Sequence, residues 1–243
     1  MKSNALWLTM RTGGWCGIIS LLLFFGIAVG TEQLFWQSLD MQTARQFLEY
    51  HGQNPYYQIS IYGHLLIGFA MLFMIISFLG LKTYLETEKN WLWIKSATIF
   101  GVLACAIMVL QCTVQGTVMV KMGSYFLRFD DEIQQNIILR IYWSLRQIDQ
   151  GIDLAFDMFF FTAWILLAIY MWKSPGFGRV FSILGIGLFG AATIINGITA
   201  PIPPSFEISP FVSLWILAVM IQMIRIGNKL KKENLHKMMS MEG

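Results

Sequence analysis

The sequence QIDQGIDLAFDMFFFTAWILLAIYMW, residues 147–172, combines a regular series of carboxylates with a long apolar run. Asp149, Asp153 and Asp157 are four residues apart, a spacing that stacks all three on one face of a helix. The apolar run that follows is long enough to cross a membrane, which takes about 20 helical residues. Because an ionisable side chain within a membrane span is costly, this series, and Asp157 in particular, indicates a functional site.

The rest of the chain has the composition of an integral membrane protein. Of its 243 residues, 56% are hydrophobic and 13% are charged, and the mean hydropathy is +0.59. This is more apolar surface than one soluble core could bury. We therefore predict an all-α bundle of six membrane-spanning helices that forms a single transmembrane domain over residues 1–243. The spans are expected at about 15–35, 59–82, 96–120, 148–172, 180–200 and 210–228.

The first span has some features of a secretory signal peptide, since Lys2 and Arg11 precede an apolar run that ends in small residues. We interpret its end, Gly26-Ile-Ala-Val-Gly30, as a small-residue face for helix packing instead. The first span is therefore expected to remain part of the bundle.

The basic residues predict the orientation of the bundle. If the six spans alternate, twelve of the 17 Lys and Arg residues lie on the side of the N-terminus and five on the other. The positive-inside rule then places both termini in the cytoplasm, as a multi-pass protein of the inner (cytoplasmic) membrane.

Two segments on the predicted outer side have helical patterns of their own. Residues 36–50 mix apolar and charged side chains as an amphipathic helix at the membrane interface would. Asp130-Asp-Glu132 precedes an apolar stripe at helical spacing, so we expect the fourth helix to begin near residue 131 and to continue into the membrane.

The polar side chains of the spans concentrate in the predicted outer half of the bundle. Such groups turn away from lipid, so they predict a polar pocket that opens to the outer face. Asp149 is expected to be too shallow to belong to the pocket and to pair with Arg146. The expected ligand-binding residues are Asp157, Asp153, His64, Glu32, Gln111, Gln115 and Asn196.

Several classes of function are not supported. The three histidines are scattered and the three cysteines form no C-x-x-C pair, so a haem or zinc site built mainly from histidines is not expected, no metal ligands are assigned, and the cofactor is unknown. A carboxylate-rich site that holds Mg²⁺ or Ca²⁺ stays open for an enzyme. The sequence contains neither a phosphate-binding P-loop nor a G-x-S-x-G nucleophile motif. A net charge of +3 without a basic aromatic surface does not indicate nucleic-acid binding.

Three segments carry a resemblance to a known group of proteins. They are Gly151-Ile-Asp-Leu-Ala-Phe-Asp157, Ser174-Pro-Gly-Phe-Gly-Arg179, and Pro201-Ile-Pro-Pro-Ser through Phe211-Val-Ser-Leu-Trp215. Over about residues 148–220 the chain resembles a group of uncharacterised, polytopic six-helix membrane proteins of the bacterial inner membrane. The resemblance implies a helical bundle and assigns no reaction or residue roles.

Three functions remain open from the sequence. The first is binding of a small ligand, cation or lipid headgroup in an outward-facing acidic pocket, as a sensor or carrier would do. The second is an enzyme acting on lipid or lipid-linked substrate from the outer leaflet, with His64 and Asp153 or Asp157 as acid and base. The third is an accessory subunit of a larger membrane complex. The expected partners are membrane lipid and a small-molecule or cation ligand, with protein partners under the third hypothesis.

Overall fold

The computed structural model describes residues 2–31, 41–53, 57–199 and 208–242, and every element in these ranges is helical. A single π-helical turn, Gln115–Met119, joins two of the helices. The elements are α1 (Lys2–Thr31), α2 (Met41–Gln53), α3 (Tyr57–Leu85), α4 (Trp91–Val114), the π turn, α5 (Val120–Phe126), α6 (Glu132–Met171), α7 (Gly178–Thr199) and α8 (Ser209–Glu242).

Six helical segments of the described chain are long and apolar enough to cross a membrane, as the sequence predicts for a multi-pass membrane protein. They cover Ala5–Gly26, Ile61–Leu85, Trp91–Phe126, Glu132–Met171, Gly178–Ile198 and Ser209–His236. The first segment begins six residues before Arg11, earlier than predicted, so the apolar helix includes a charged residue that the sequence places outside the span. The Arg11 guanidinium lies over the Trp7 ring, 5.6 Å from its centroid.

α6 is one unbroken helix of 40 residues, which confirms the prediction that the fourth helix begins near residue 131. The Ile133 N–H donates a hydrogen bond to the Asp131 carboxylate at 3.0 Å, an N-cap that satisfies one of the free amides of the first turn. At 1.5 Å per residue α6 is about 60 Å long, twice the thickness of a hydrocarbon layer.

The chain forms two compact units, each assembled from separate segments. The first unit contains Met1–Leu21, Leu72–Cys105 and Phe156–Gly243, and the second contains Leu22–Met71 and Ala106–Ala155. Neither unit is a consecutive stretch of sequence, because the helices α1, α3, α4 and α6 each contribute to both.

The core of the first unit is aromatic. Trp164 of α6 is completely buried and lies against Phe78, Phe160, Phe189 and Trp215, with ring centroids 5.0 to 6.1 Å apart. Each such pair adds about 0.5 to 1.5 kcal/mol beyond the burial of its surface. The cluster therefore joins α3, α6, α7 and α8 within this unit.

In the same unit, small residues of α1 allow close approach to α3 and α8. A methyl group at Gly14 would lie 2.7 Å from the Met220 carbonyl oxygen, and the Ser77 hydroxyl donates to the Gly13 carbonyl at 2.7 Å. A methyl group at Gly26, which the sequence assigns to a packing face, would meet no described atom within 4 Å, so the described residues show no packing at this position. The glycines with close neighbours lie about three turns earlier, where α1 meets both backbone and side-chain atoms of α3 and α8.

The second unit is organised around α2, which packs on α5 and on the first part of α6. Ala44, Phe47 and Leu48 are buried in a cluster with residues of both helices, and Phe47 stacks on Tyr142 at 5.0 Å. A helix is therefore present over 41–53, and residues 36–40 lie outside the described residues. The position of this helix at the membrane interface stays a prediction. The apolar face of α2 packs against α5 and α6 within the second unit.

Replacing Gly14 with alanine should destabilise the protein, because the new methyl group meets the Ile224 side chain and also the Met220 carbonyl oxygen, a backbone atom that cannot rotate away. We expect a loss of about 1 to 3 kcal/mol in the free energy of unfolding, measured in detergent micelles. Gly26→Ala is the matched control on the same helix and should be neutral or slightly stabilising. Equal effects of the two substitutions would contradict the packing described for α1.

Candidate functional site

Asp149 is the most deeply buried carboxylate among the described residues of the second unit, with 2% of its surface exposed. An Arg146 terminal nitrogen lies 2.9 Å from its Oδ2, so the two residues form an ion pair across one turn of α6. The sequence predicts this pairing, and the structure confirms it. The expectation that Asp149 is too shallow to belong to the polar cluster is wrong, because the carboxylate lies inside the unit.

Gln115 supplies the second set of donors to the same carboxylate. Its Nε2 donates to Asp149 Oδ2 at 2.9 Å and to Oδ1 at 3.1 Å. Gln115 is the first residue of the π turn, where a wider helical turn changes the direction of the side chains that follow. The Asp149 carboxylate is therefore held both by its own helix and by the π turn.

Gln111 lies one turn before Gln115 and is only partly satisfied. It is buried, and its Nε2 lies 3.5 Å from both the Asp149 carbonyl oxygen and Asp153 Oδ1, the outer limit for a hydrogen bond. Its buried Oε1 accepts no hydrogen bond from any described residue. Gln111 Oε1 is therefore an unused acceptor, and a buried amide oxygen without a donor costs roughly 1 to 3 kcal/mol.

Asp153 is the carboxylate of this cluster that has no counter-ion. It is half-buried, its one hydrogen bond is the long contact with Gln111, and it forms no ion pair with any cation in the described ranges. Arg146 neutralises Asp149, so an ionised Asp153 would leave the three residues with a net charge of −1.

His64 and His51 are both buried in the second unit. A methyl group at Gly116 would lie 2.9 Å from the His64 Cβ, so α3 approaches the π turn closely at this point. Burial, and then the charge of nearby His64, lower the pKa of His51 from 6.5 to about 4. His51 is therefore neutral at physiological pH.

Asp157 belongs to the first unit and has a different partner. The Asn196 side-chain amide donates to its Oδ2, which joins α6 to α7 within that unit. Among the predicted residues, the structure thus groups Asp153, Gln111 and Gln115 with Asp149, and pairs Asp157 with Asn196. Glu32 lies outside the described residues.

The described residues contain no group of three or more His, Cys, Asp and Glu side chains able to hold a metal ion. The three cysteines are free and buried. The hydrogen-bond acceptors at Asp153 and Gln111 are carboxylate and amide oxygens, which suit a ligand that brings several N–H donors.

The fold and this cluster define a multi-pass helical membrane protein with a buried network of carboxylates and amides. No protein-family model, curated protein or solved structure matches the chain. The resemblance of residues 148–220 to a group of bacterial inner-membrane proteins therefore stays a prediction, and the site is interpreted from its own geometry.

Replacing Asp149 with asparagine should destabilise the second unit, since it removes the ion pair with Arg146 and one acceptor of Gln115. We expect a loss of about 1 to 3 kcal/mol in unfolding free energy, less than for a fully buried pair because Arg146 is partly exposed. Asp130→Asn, an exposed aspartate of the same unit, is the charge-matched control and should have little effect.

The double variant Arg146→Gln/Asp149→Asn should lose less than the sum of the two single losses, because either substitution already breaks the pair. Strict additivity would show that the ion pair contributes nothing.

The depressed pKa of His51 predicts a stability change with pH. The unfolded chain takes up a proton near pH 6.5 and the folded chain only near pH 4, so the contribution of neutral His51 is complete above pH 6.5. It declines as the pH falls and is lost below about pH 4. The full change is about 3 kcal/mol. His51→Gln should flatten the decline in melting temperature between pH 7 and pH 4.5, whereas exposed His236→Gln should not. Parallel curves for the wild type and His51→Gln would contradict the assignment.

Proposed function

We propose that the second unit binds a small cationic ligand at Asp153, in a polar pocket that opens toward the outer face of the membrane. The observation that carries this proposal is that Asp153 forms no ion pair with a described cation, while Gln111, whose amide nitrogen contacts Asp153, has an oxygen that accepts no hydrogen bond from a described residue. A charge in a membrane-spanning helix is costly, and its retention without a counter-ion supports a ligand as the missing partner.

The number and type of free acceptors favour an ammonium group. The two Asp153 oxygens and Gln111 Oε1 are three oxygen acceptors, and a primary ammonium carries three N–H donors. Ca²⁺ takes six to eight oxygen ligands and Mg²⁺ an octahedral set, more than this cluster contributes. The ligand class is therefore a primary amine, either free or as a lipid headgroup.

The rigid part of the cluster supports the same function. Arg146 and Gln115 hold Asp149 from two elements, so Asp149 is already satisfied and the neighbouring Asp153 is left to act on a ligand. A site held in place by its neighbours binds with a smaller loss of conformational freedom. His64 contributes a buried imidazole in the same unit.

The orientation of the protein is part of the proposal. The excess of Lys and Arg on the side of the termini supports cytoplasmic termini in a bacterial inner membrane, with α2 at the outer interface. The cluster would then face the extracytoplasmic side, as suits a sensor or carrier of an external or headgroup amine. Ligand contacts by Asp157, Asn196 and Glu32 remain predictions.

The proposal is tested by thermal denaturation of purified protein with added amines. Ethanolamine and methylamine are the organic probes, and choline, whose quaternary ammonium has no N–H donor, serves as a reference together with NaCl and KCl at equal ionic strength. At least one probe should raise the melting temperature in a saturable way. A ligand at 100 times its dissociation constant adds about 2.7 kcal/mol of stability.

Asp153→Asn should abolish this stabilisation, because the charge that attracts the ammonium is removed while the size of the side chain is kept. Glu132→Gln removes an exposed carboxylate of the same helix and unit, and should leave the stabilisation unchanged. The proposal fails if none of the probes stabilises the wild type, or if Asp153→Asn responds as the wild type does.

A further inference from the structure

A second site, in the first unit, lies where α6 ends and α7 begins. A groove of about 320 Å³ is lined there by Ile169, Tyr170, Trp172, Lys173, Ser182 and Ile186. The groove combines an apolar wall with a basic, aromatic end. None of its residues takes part in the carboxylate and amide cluster of the second unit.

Ser182 lies in the second turn of α7, completely buried, and its Oγ has no hydrogen-bond partner among the described residues. Several helical hydroxyls donate to the carbonyl four residues earlier, as Thr193 does to Phe189 and Thr98 does to Ile94, both at 2.8 Å. Ser182 lacks this bond, as does the buried Ser20 of α1, but of these two only Ser182 lines the groove. A buried hydroxyl without a partner is costly, so its place in the lining of a groove indicates a ligand acceptor.

The end of the groove is positively charged. Lys173 is exposed and forms no ion pair with any carboxylate that the structure describes. Arg179, the second residue of α7, lies over the Trp172 ring at 5.6 Å from its centroid. Two cations and a tryptophan at the end of an apolar helix pair form a typical contact region for the headgroup of an anionic lipid.

The loop that carries Lys173 is held in place by hydrogen bonds within the first unit. The Ser174 N–H donates to the Met171 carbonyl and the Gly178 N–H to the Ser174 carbonyl, both at 3.1 Å. The Gln222 side-chain amide donates to the Gly176 carbonyl. Gly178 has a φ of +79°, a conformation that glycine adopts without strain, so the chain turns sharply into α7. The basic end of the groove is therefore preorganised.

We infer that this groove binds one anionic phospholipid. Its phosphate would lie against Lys173 and the Ser182 hydroxyl, with Arg179 beside it, and an acyl chain would follow the exposed side chains of Ile169 and Ile186. The apolar wall favours a phospholipid over free phosphate, because inorganic phosphate would leave Ile169 and Ile186 uncovered. This inference does not depend on the amine site, and cytoplasmic termini would place the groove at the inner leaflet.

The test measures binding of phosphatidylglycerol to the purified protein in neutral detergent, by native mass spectrometry and by the lipid-dependent rise in melting temperature. Phosphatidylcholine and inorganic phosphate are the comparison ligands. The wild type should bind phosphatidylglycerol in preference to both. Equal stabilisation by inorganic phosphate would show an anion site without lipid specificity, and equal binding of phosphatidylcholine would show that the charge is not recognised. Either result overturns the inference.

Two substitutions test whether Lys173 and Ser182 contact the lipid. Lys173→Gln should weaken phosphatidylglycerol binding by roughly fivefold, as expected for one lysine near an anionic surface. Ser182→Ala should also weaken binding, while the lipid-free protein keeps its melting temperature or gains, since the variant loses a hydroxyl that has no partner.

Lys95→Gln is the matched control, because Lys95 is also exposed and lies over a tryptophan, Trp91, at 5.9 Å from its centroid. It should bind phosphatidylglycerol as the wild type does. If Lys95→Gln weakens binding as much as Lys173→Gln, the lipid responds to general surface charge and the proposed site is wrong.

Discussion

A carboxylate within a membrane-spanning helix must find its hydrogen-bond donors inside the protein, and Asp149 finds them in two directions. Arg146 comes from the preceding turn of α6, and Gln115 comes from the π turn, 34 residues earlier in the chain. The first is a local interaction, and the second holds α6 to another span. The same span continues into α5, against which α2 packs, so the second unit is built around this contact.

The Asp149 carboxylate has an ion pair and two amide contacts, whereas Asp153, one turn later, has a single long contact and no described counter-ion. Arg146 provides one positive charge, and the cluster contains two carboxylates within one turn of α6. An ionised Asp153 would carry the charge that is left, and the nearest amide, Gln111, has an acceptor to spare. A structural network in a membrane protein usually satisfies all of its members, because lipid offers no alternative partners. The imbalance at Asp153 is therefore the feature of this network that packing alone does not explain.

Two buried polar atoms of the first unit, Trp164 Nε1 and Ser182 Oγ, have no hydrogen-bond partner among the described residues, and their surroundings differ. The Trp164 indole N–H has no acceptor among the described residues, but it is enclosed by the rings of Phe78, Phe160, Phe189 and Trp215. Aromatic faces can accept a weak hydrogen bond, so the core accounts for this group. The Ser182 hydroxyl lies instead in the lining of a groove that has a basic end. Only the second environment leaves room for a ligand.

Much of the fold follows from the sequence alone. Six apolar runs determine six helices, because a backbone that crosses lipid must satisfy its own hydrogen bonds and a helix does so within one segment. The acidic start at residues 130–132 determines where α6 begins, since Asp131 caps it. The spacing of Arg146 and Asp149 likewise determines their ion pair, because residues three apart are neighbours on any helix.

Only the tertiary structure decided which polar groups meet. The sequence assigns Asp153, Asp157, Gln111, Gln115 and Asn196 to one pocket, whereas the contacts place Gln115 on Asp149 and Asn196 on Asp157. It also decided that α1 packs closely at Gly14, whereas the described residues show no packing at Gly26. Periodicity specifies the face of a helix on which a side chain lies, but not the neighbour that this face meets. That neighbour depends on packing between segments far apart in the chain, which no local pattern records.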